Sequence, residues 1–166
     1  MQAHEHLFDL IPDEPERSRG YPLCDAGWRD ILERLCIRVE TALQEKDTFR
    51  FVRIKQKFGV LRTDWDGDIA NGTRAKVLSA IDLAVARSAC TCEICGAAGR
   101  LYCNRRWLAT RCAEHALGDP EPVEPGFENI RILRRATGEP DLFYARYDPE
   151  TDTLTEVSPN SLGLEK

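Results

Sequence analysis

Two apolar stripes at helical spacing, a stretch of strand alternation between them, and two Cys/His pairs near residue 100 predict an α+β fold. Two helices flank a β-hairpin, a metal-stapled ribbon follows, and a small β extension closes the chain. At 166 residues the length suits one domain with a small appendage, and it is enough to bury a real core. Hydrophobic residues at 42% and charged ones at 31% are the composition of a soluble globular protein. No apolar run approaches ~18 residues, so no membrane span is expected.

Residues 1–22 read as an extended arm, because Pro12, Pro15 and Pro22 break helices and Asp13, Glu14 and Glu16 cluster between them. His4 and His6 flank Glu5 near the terminus, and this trio reads as a solvated tail. Residues 23–90 form the body. Asp25 is the expected N-cap of a first helix in which Trp28, Ile31, Leu32, Leu35, Val39, Ala42 and Leu43 make one buried stripe. Arg29, Glu33, Arg34, Arg38, Glu40 and Glu45 fall mostly on its solvated side. Thr48 to Ile54 alternates apolar residues with arginine, Lys57-Phe58-Gly59 supplies a turn, and Val60 to Trp65 returns as the partner strand. Asp64, Asp66 and Asp68 alternate as calcium ligands do, but Gly67 falls fourth and Ala75 twelfth, so an EF-hand loop is not met and an acidic turn is expected. A second helix over 73–89 buries Val77, Leu78, Ile81, Ala84, Val85 and Ser88, and runs directly into the first Cys pair.

That pair is Cys92-x-x-Cys95, followed by Gly96; after sixteen residues comes Cys112-x-x-His115. Zn2+ has no ligand-field preference and takes whichever thiolates and imidazoles reach tetrahedral positions, and two ligand pairs of this spacing supply four. Gly96 suits the tight turn after the second sulfur. Arg100–Cys103 and Trp107–Arg111 are the expected strands, turning at Asn104-Arg105, with Cys112 and His115 on the first turn of a short helix. The module over 91–118 is therefore expected to be treble-clef-like, holding a structural Zn2+. Cys90 and Cys103 remain alternative ligands, while Cys24 and Cys36 read as reduced packing residues. Seven cysteines behind an acidic N-terminus without a secretory pattern point to a reducing, cytoplasmic setting and to metal binding over disulfides.

Residues 119–128, with Pro120, Pro122 and Pro125 among acids and glycines, have linker composition. Residues 129–158 then read as a β appendage of three short strands, Asn129–Arg134, Leu142–Tyr147 and Thr153–Val157, the last two joined through Pro149. Residues 159–166 read as a fraying tail.

The CEICG knuckle, the Arg100-Leu101 strand and the Thr110-Arg111-Cys112-x-x-His115 end resemble the zinc module of an uncharacterised bacterial and phage zinc-ribbon protein group, where it follows a KxKFGxLR segment. Here that segment is Lys55 to Arg62, and Cys24-Asp25-Ala26-Gly27-Trp28 matches the group's CxxGW-like start. The likeness covers roughly residues 22 to 117 and implies architecture, not activity. The same module is more distantly similar to the zinc finger of DksA/TraR-type RNA polymerase regulators. Those usually carry Cys where this chain has His115, and they need a helical coiled coil where a hairpin is expected here.

The net charge is −5, yet residues 49–62 carry five cations and no acid, and residues 99–111 carry four and no acid. Residues 139–166 place seven acids, Glu139 and Glu165 among them, against Arg146 and Lys166. Such polarity creates an anion-binding face or lets the acidic end fold back on the basic middle. The candidate anion or nucleic-acid contacts are Lys55, Lys57, Arg62, Arg100, Arg105, Arg106 and Arg111; the bland reading of those in the hairpin is a solvated sheet face. With His115 committed as a ligand, His4 and His6 in the arm, and no phosphate loop or serine elbow, no catalytic constellation is expected. The expected function is a non-catalytic zinc-binding adaptor or regulator acting through protein contacts, associated with phage or mobile elements. The alternative is a nucleic-acid-binding zinc ribbon in transcription regulation.

Overall fold

The stripe from Trp28 to Ala42 becomes α1, Arg29–Ala42, entered through a 3-10 turn at Ala26–Trp28. These assignments come from a computed structural model that describes residues 2–11, 13–135 and 141–164. Pro12, Glu139, Glu165 and Lys166, named in the sequence reading, lie outside the described residues. One face of α1 buries Ile31, Leu32, Leu35, Cys36, Val39 and Ala42. Asp25 holds the N-cap position, but its carboxylate makes no capping bond; its carbonyl accepts the Trp28 N–H at 3.2 Å. The second helix, α2, is Asn71–Ser88. It starts two residues before the expected boundary because Asp47 organises the entry, accepting the Ala70 amide at 3.0 Å and the Thr73 hydroxyl at 2.8 Å. Ala80 and Ala86 join Val77, Ala84 and Ser88 inside, whereas Leu78, Ile81 and Val85 are only half-buried. The expected single stripe fails because α2 is packed on two sides.

Three small sheets accompany the helices among the described residues. The first orders β1 (Pro22–Leu23), β2 (Arg50–Lys57) and β3 (Val60–Asp66), with β1 parallel and β3 antiparallel to β2. Phe58 and Gly59 turn the hairpin with positive φ at both residues, 56° and 79°, the backbone of a two-residue hairpin whose twist matches its strands. Register puts Ile54, Gln56, Leu61 and Thr63 on the inner face and Arg53, Lys55, Lys57, Val60, Arg62 and Asp64 on the outer one. The second sheet, the ribbon, orders β5 (Trp107–Arg111), β4 (Arg100–Asn104) and β6 (Asp119–Pro120). The third runs antiparallel through β7 (Ile130–Arg134), β8 (Leu142–Asp148) and β9 (Thr153–Val157) and packs on α2 through β8.

The ends of the chain correct the sequence reading. The arm is not extended: Gln2–Leu7 forms a 3-10 helix, and Leu7 and Phe8 enter the same core cluster as Trp28, Leu35, Phe51, Ile54, Leu61 and Val77. Proline interrupts an α-helix but is at home in the first turn of a short one, and Pro15 opens a second 3-10 helix at Pro15–Arg17. His4 is buried, with Nδ1 2.7 Å from Glu40 and Nε2 3.0 Å from Glu33. The Glu40 bond, helped by Glu33, outweighs burial and raises the imidazole above its ordinary value. The linker's first residues are β6, and the tail holds a 3-10 turn at Pro159–Leu162 ended by Gly163 at φ 70°. No described helix is long and apolar enough to cross a membrane.

Candidate metal centre

Cys92, Cys95, Cys112 and His115 converge so that their ligand atoms all lie within 4.8 Å of one another. Cys95 Sγ is 3.7 Å from Cys112 Sγ, and His115 Nδ1 is 3.2 Å from Cys112 Sγ and 3.7 Å from Cys92 Sγ. No second group of three such ligands converges among the described residues. Cys90 is not part of the group, since its thiol turns to the Arg87 carbonyl at 3.3 Å, and Cys103 sits on β4 opposite Leu108. Cys24 and Cys36 are pushed up to about 12 by burial, as suits inert packing thiols.

The first knuckle closes through the Gly96 amide on the Cys92 carbonyl at 2.8 Å, with Gly96 at φ 79°. Burial disfavours a charge on Cys92, but the amides of Cys112, Cys95 and Ile94 aimed at its sulfur prevail and lower its pKa to about 6. The second pair departs from expectation. Cys112 to His115 is a turn, closed by the His115 amide on the Cys112 carbonyl at 3.2 Å, and no helix follows it. The chain instead passes Gly118, where a Cβ would lie 2.1 Å from the Cys103 carbonyl, and adds β6 to the ribbon edge. That edge pairing needs extended backbone, which a helix at Cys112 would deny it.

The centre is docked on the body by residues that the ligand spacing did not reveal. Gly27 donates its amide to the Glu93 carbonyl at 2.8 Å, and a Cβ there would lie 2.4 Å from the Cys92 carbonyl and 2.5 Å from the Gly96 nitrogen. Beside it, Trp28 is fully buried and donates its indole N–H to the Thr91 carbonyl at 2.9 Å. Glu93, between the two knuckle cysteines, is buried and accepts Arg111 at 2.8 Å. On the other side of the ribbon, Thr110 Oγ1 donates to the Gly59 carbonyl at 2.6 Å and Gln56 Nε2 to the Leu108 carbonyl at 2.7 Å. The Gly27-Trp28 and Phe58-Gly59 pairs therefore both lie at joints with the metal module. A Gly-Trp pair at a helix entry was the one sequence signal for the first joint.

The candidate cations are divided. Arg111 is engaged within the protein: its guanidinium donates to Glu93 and the Thr110 carbonyl and lies 3.8 Å from Asp25. Arg105 and Arg106 are exposed at the β4–β5 tip, both with positive φ, and Arg100 is exposed over the Tyr102 ring. Lys55, Lys57 and Arg62 share the outer hairpin face. The acidic end does fold back, but onto the helices: Asp152 accepts Arg38 at 2.6 Å and the Tyr147 hydroxyl at 2.7 Å, with Arg87 at 3.6 Å.

Among the described residues, the fold and the site define an α+β chain of two α-helices and three small sheets carrying a Cys3His group that can hold a metal ion. Comparison with protein-family models, curated proteins and solved structures gives no match to this chain.

Proposed function

We propose that the Cys3His group holds a structural Zn2+ and that the chain is a non-catalytic adaptor meeting a protein partner through the outer face of its ribbon. The ligand spacing supports zinc. A tetrahedron with ~2.3 Å metal–sulfur bonds has sulfur–sulfur edges of ~3.8 Å, and the Cys95–Cys112 separation is 3.7 Å. Four protein ligands leave no position for water, so the metal's chemistry is to fix two turns and the hairpin between them, a ribbon of two knuckles. Buried Cys92 and His115 Nδ1 supply the inner ligands, and the knuckle amides hold the Cys92 thiolate ready.

The observation that carries the adaptor reading is the exposed apolar face beside the ligands. Trp107 is 67% exposed and Leu117 70% exposed; with Tyr102 they line a concavity that His115 also borders. Tryptophan, tyrosine and arginine are the residues that anchor protein interfaces, and Arg105 and Arg106 stand at the adjoining tip. The test is a pull-down from nuclease-treated extract with the zinc-loaded chain and its Trp107→Ala/Leu117→Ala twin. The expected result is a protein held by the first and lost by the second at low and high salt. Identical captured sets, or capture that disappears with nuclease, contradict the reading.

A further inference from the structure

On the opposite side of the ribbon from Trp107, a groove of about 550 Å³ opens where the hairpin tip, β4 and β7 meet. Phe58 and Val60 of the hairpin line it together with Leu101, Thr110 and Val123, and Arg131 is part of the same lining. Arg131 is half-buried; its Nε is fully buried without a hydrogen-bond partner, and no carboxylate pairs with it among the described residues. A guanidinium does not shed its proton, so one N–H of a permanent cation is held out of water without an acceptor. The groups facing it are the Cys90 thiol and, on the groove wall, Glu128, whose carboxylate already accepts the Gly126 amide.

The groove continues onto the outer hairpin face through Val60, and the charge pattern there is equally uncompensated. Lys55 stands directly opposite Arg62, a like-charge cross-strand pair that destabilises a bare sheet. Lys57 follows on the same face and lies 5.0 Å over the Phe58 ring. Arg53 has Asp64 as a partner, but Lys55, Lys57 and Arg62 have no carboxylate within ion-pair distance among the described residues. Phe58 adds a second anomaly: the hairpin turn accounts for its left-handed backbone, but a small polar residue would serve there, and instead a phenyl ring stands 61% exposed. Neither feature helps the fold. Both suit a ligand that brings phosphates to a row of cations and a flat ring to an aromatic.

We propose that this surface binds single-stranded nucleic acid, with Lys55, Lys57 and Arg62 on the backbone, Phe58 stacked on a base, and Arg131 in the groove receiving a phosphate. An acidic peptide would neutralise the cations but leave the Phe58 ring without a stacking partner, and the paired bases of a duplex offer it no free face. The site lies on the face of the ribbon away from Trp107, so it stands or falls apart from the protein-partner reading.

The test is fluorescence anisotropy of a labelled mixed-sequence single-stranded 15-mer with the full zinc-loaded chain at 50 and 200 mM salt. Four phosphate contacts predict an affinity loss of about 50-fold between the two salts. Lys55→Gln/Arg62→Gln, two surface changes, should bind more weakly and cut that loss to about sevenfold. Phe58→Ala should weaken binding about tenfold at both salts without altering the ratio. Melting temperatures no lower than the parent's and an unchanged metal content verify that the variants are folded. Absence of binding by the parent chain overturns the proposal, as does an unaltered salt ratio in the double variant. So does equal affinity for a duplex or for a poly-glutamate peptide of the same charge.

Discussion

The helical body and the metal ribbon of this chain are stabilised in different ways. The body's core cluster draws on the arm, both helices and the β2–β3 hairpin, and takes no residue from the ribbon or from the C-terminal sheet. Within the ribbon and its knuckles the buried residues are Cys92, Glu93, Ala109 and Thr110, which together offer little apolar area. The body is held by the hydrophobic effect. The ribbon has polar joints at Gly27, Trp28, Gly59 and Thr110 and a Cys3His group that can hold a metal ion. A long stretch of chain can therefore be ordered with almost no core of its own, provided a metal closes it and a larger core gives it somewhere to dock.

Three perturbations sharpen that contrast, and a fourth lies beside it. The largest effect belongs to Cys112→Ser, which removes one metal ligand. Structural zinc in small fingers contributes on the order of 10 kcal/mol, so amides over 91–118 should lose hydrogen-exchange protection while those of α1 and β2 keep it. Leu35→Ala is the converse, emptying a fully buried site in the body. It should cost about 3 kcal/mol, lower the melting temperature, and leave the metal stoichiometry intact. Gly27→Ala attacks the joint itself, because the new methyl group would press on the backbone of both Cys92 and Gly96. A loss of about 2 kcal/mol, read by thermal melting, should come with faster metal release to chelator.

The smallest effect concerns neither the core nor the ribbon but α2's second packed side. Burial raises Asp82 to about 6, in a groove shared with Leu133 and Phe143. A carboxyl whose folded pKa lies above its unfolded value favours the fold when protonated, so its contribution is present below pH ~4 and is lost as pH rises through about 6. Asp82→Asn should therefore stabilise the chain at pH 7 by on the order of 1 kcal/mol, allowing for solvent screening. At pH 4 the melting difference from the parent should vanish.

What the sequence revealed follows the range over which each signal acts. Helix periodicity, hairpin alternation and ligand spacing are local, and α1, the β2–β3 hairpin and the Cys3His group were legible from them. Docking is not local. Leu7 and Phe8 are too short a run to show a period, so their burial against Phe51 and the pairing of His4 with α1 carboxylates were hidden. At Cys112 a ligand pair three residues apart fits a helix and a turn equally, and the edge of β4 decided for the turn. Arg111 counted as a free cation until the fold brought Glu93 beside it, a partner that only the closed knuckle supplies.

Native mass spectrometry of the purified chain, followed by melting with and without a strong chelator, goes to the centre of the account. One zinc per chain is predicted, with a chelator-induced loss confined to the ribbon while the helical body still melts cooperatively. A metal-free chain whose ribbon protection and melting are the same with chelator as without it would contradict the claim that a Cys3His-bound ion holds this module together.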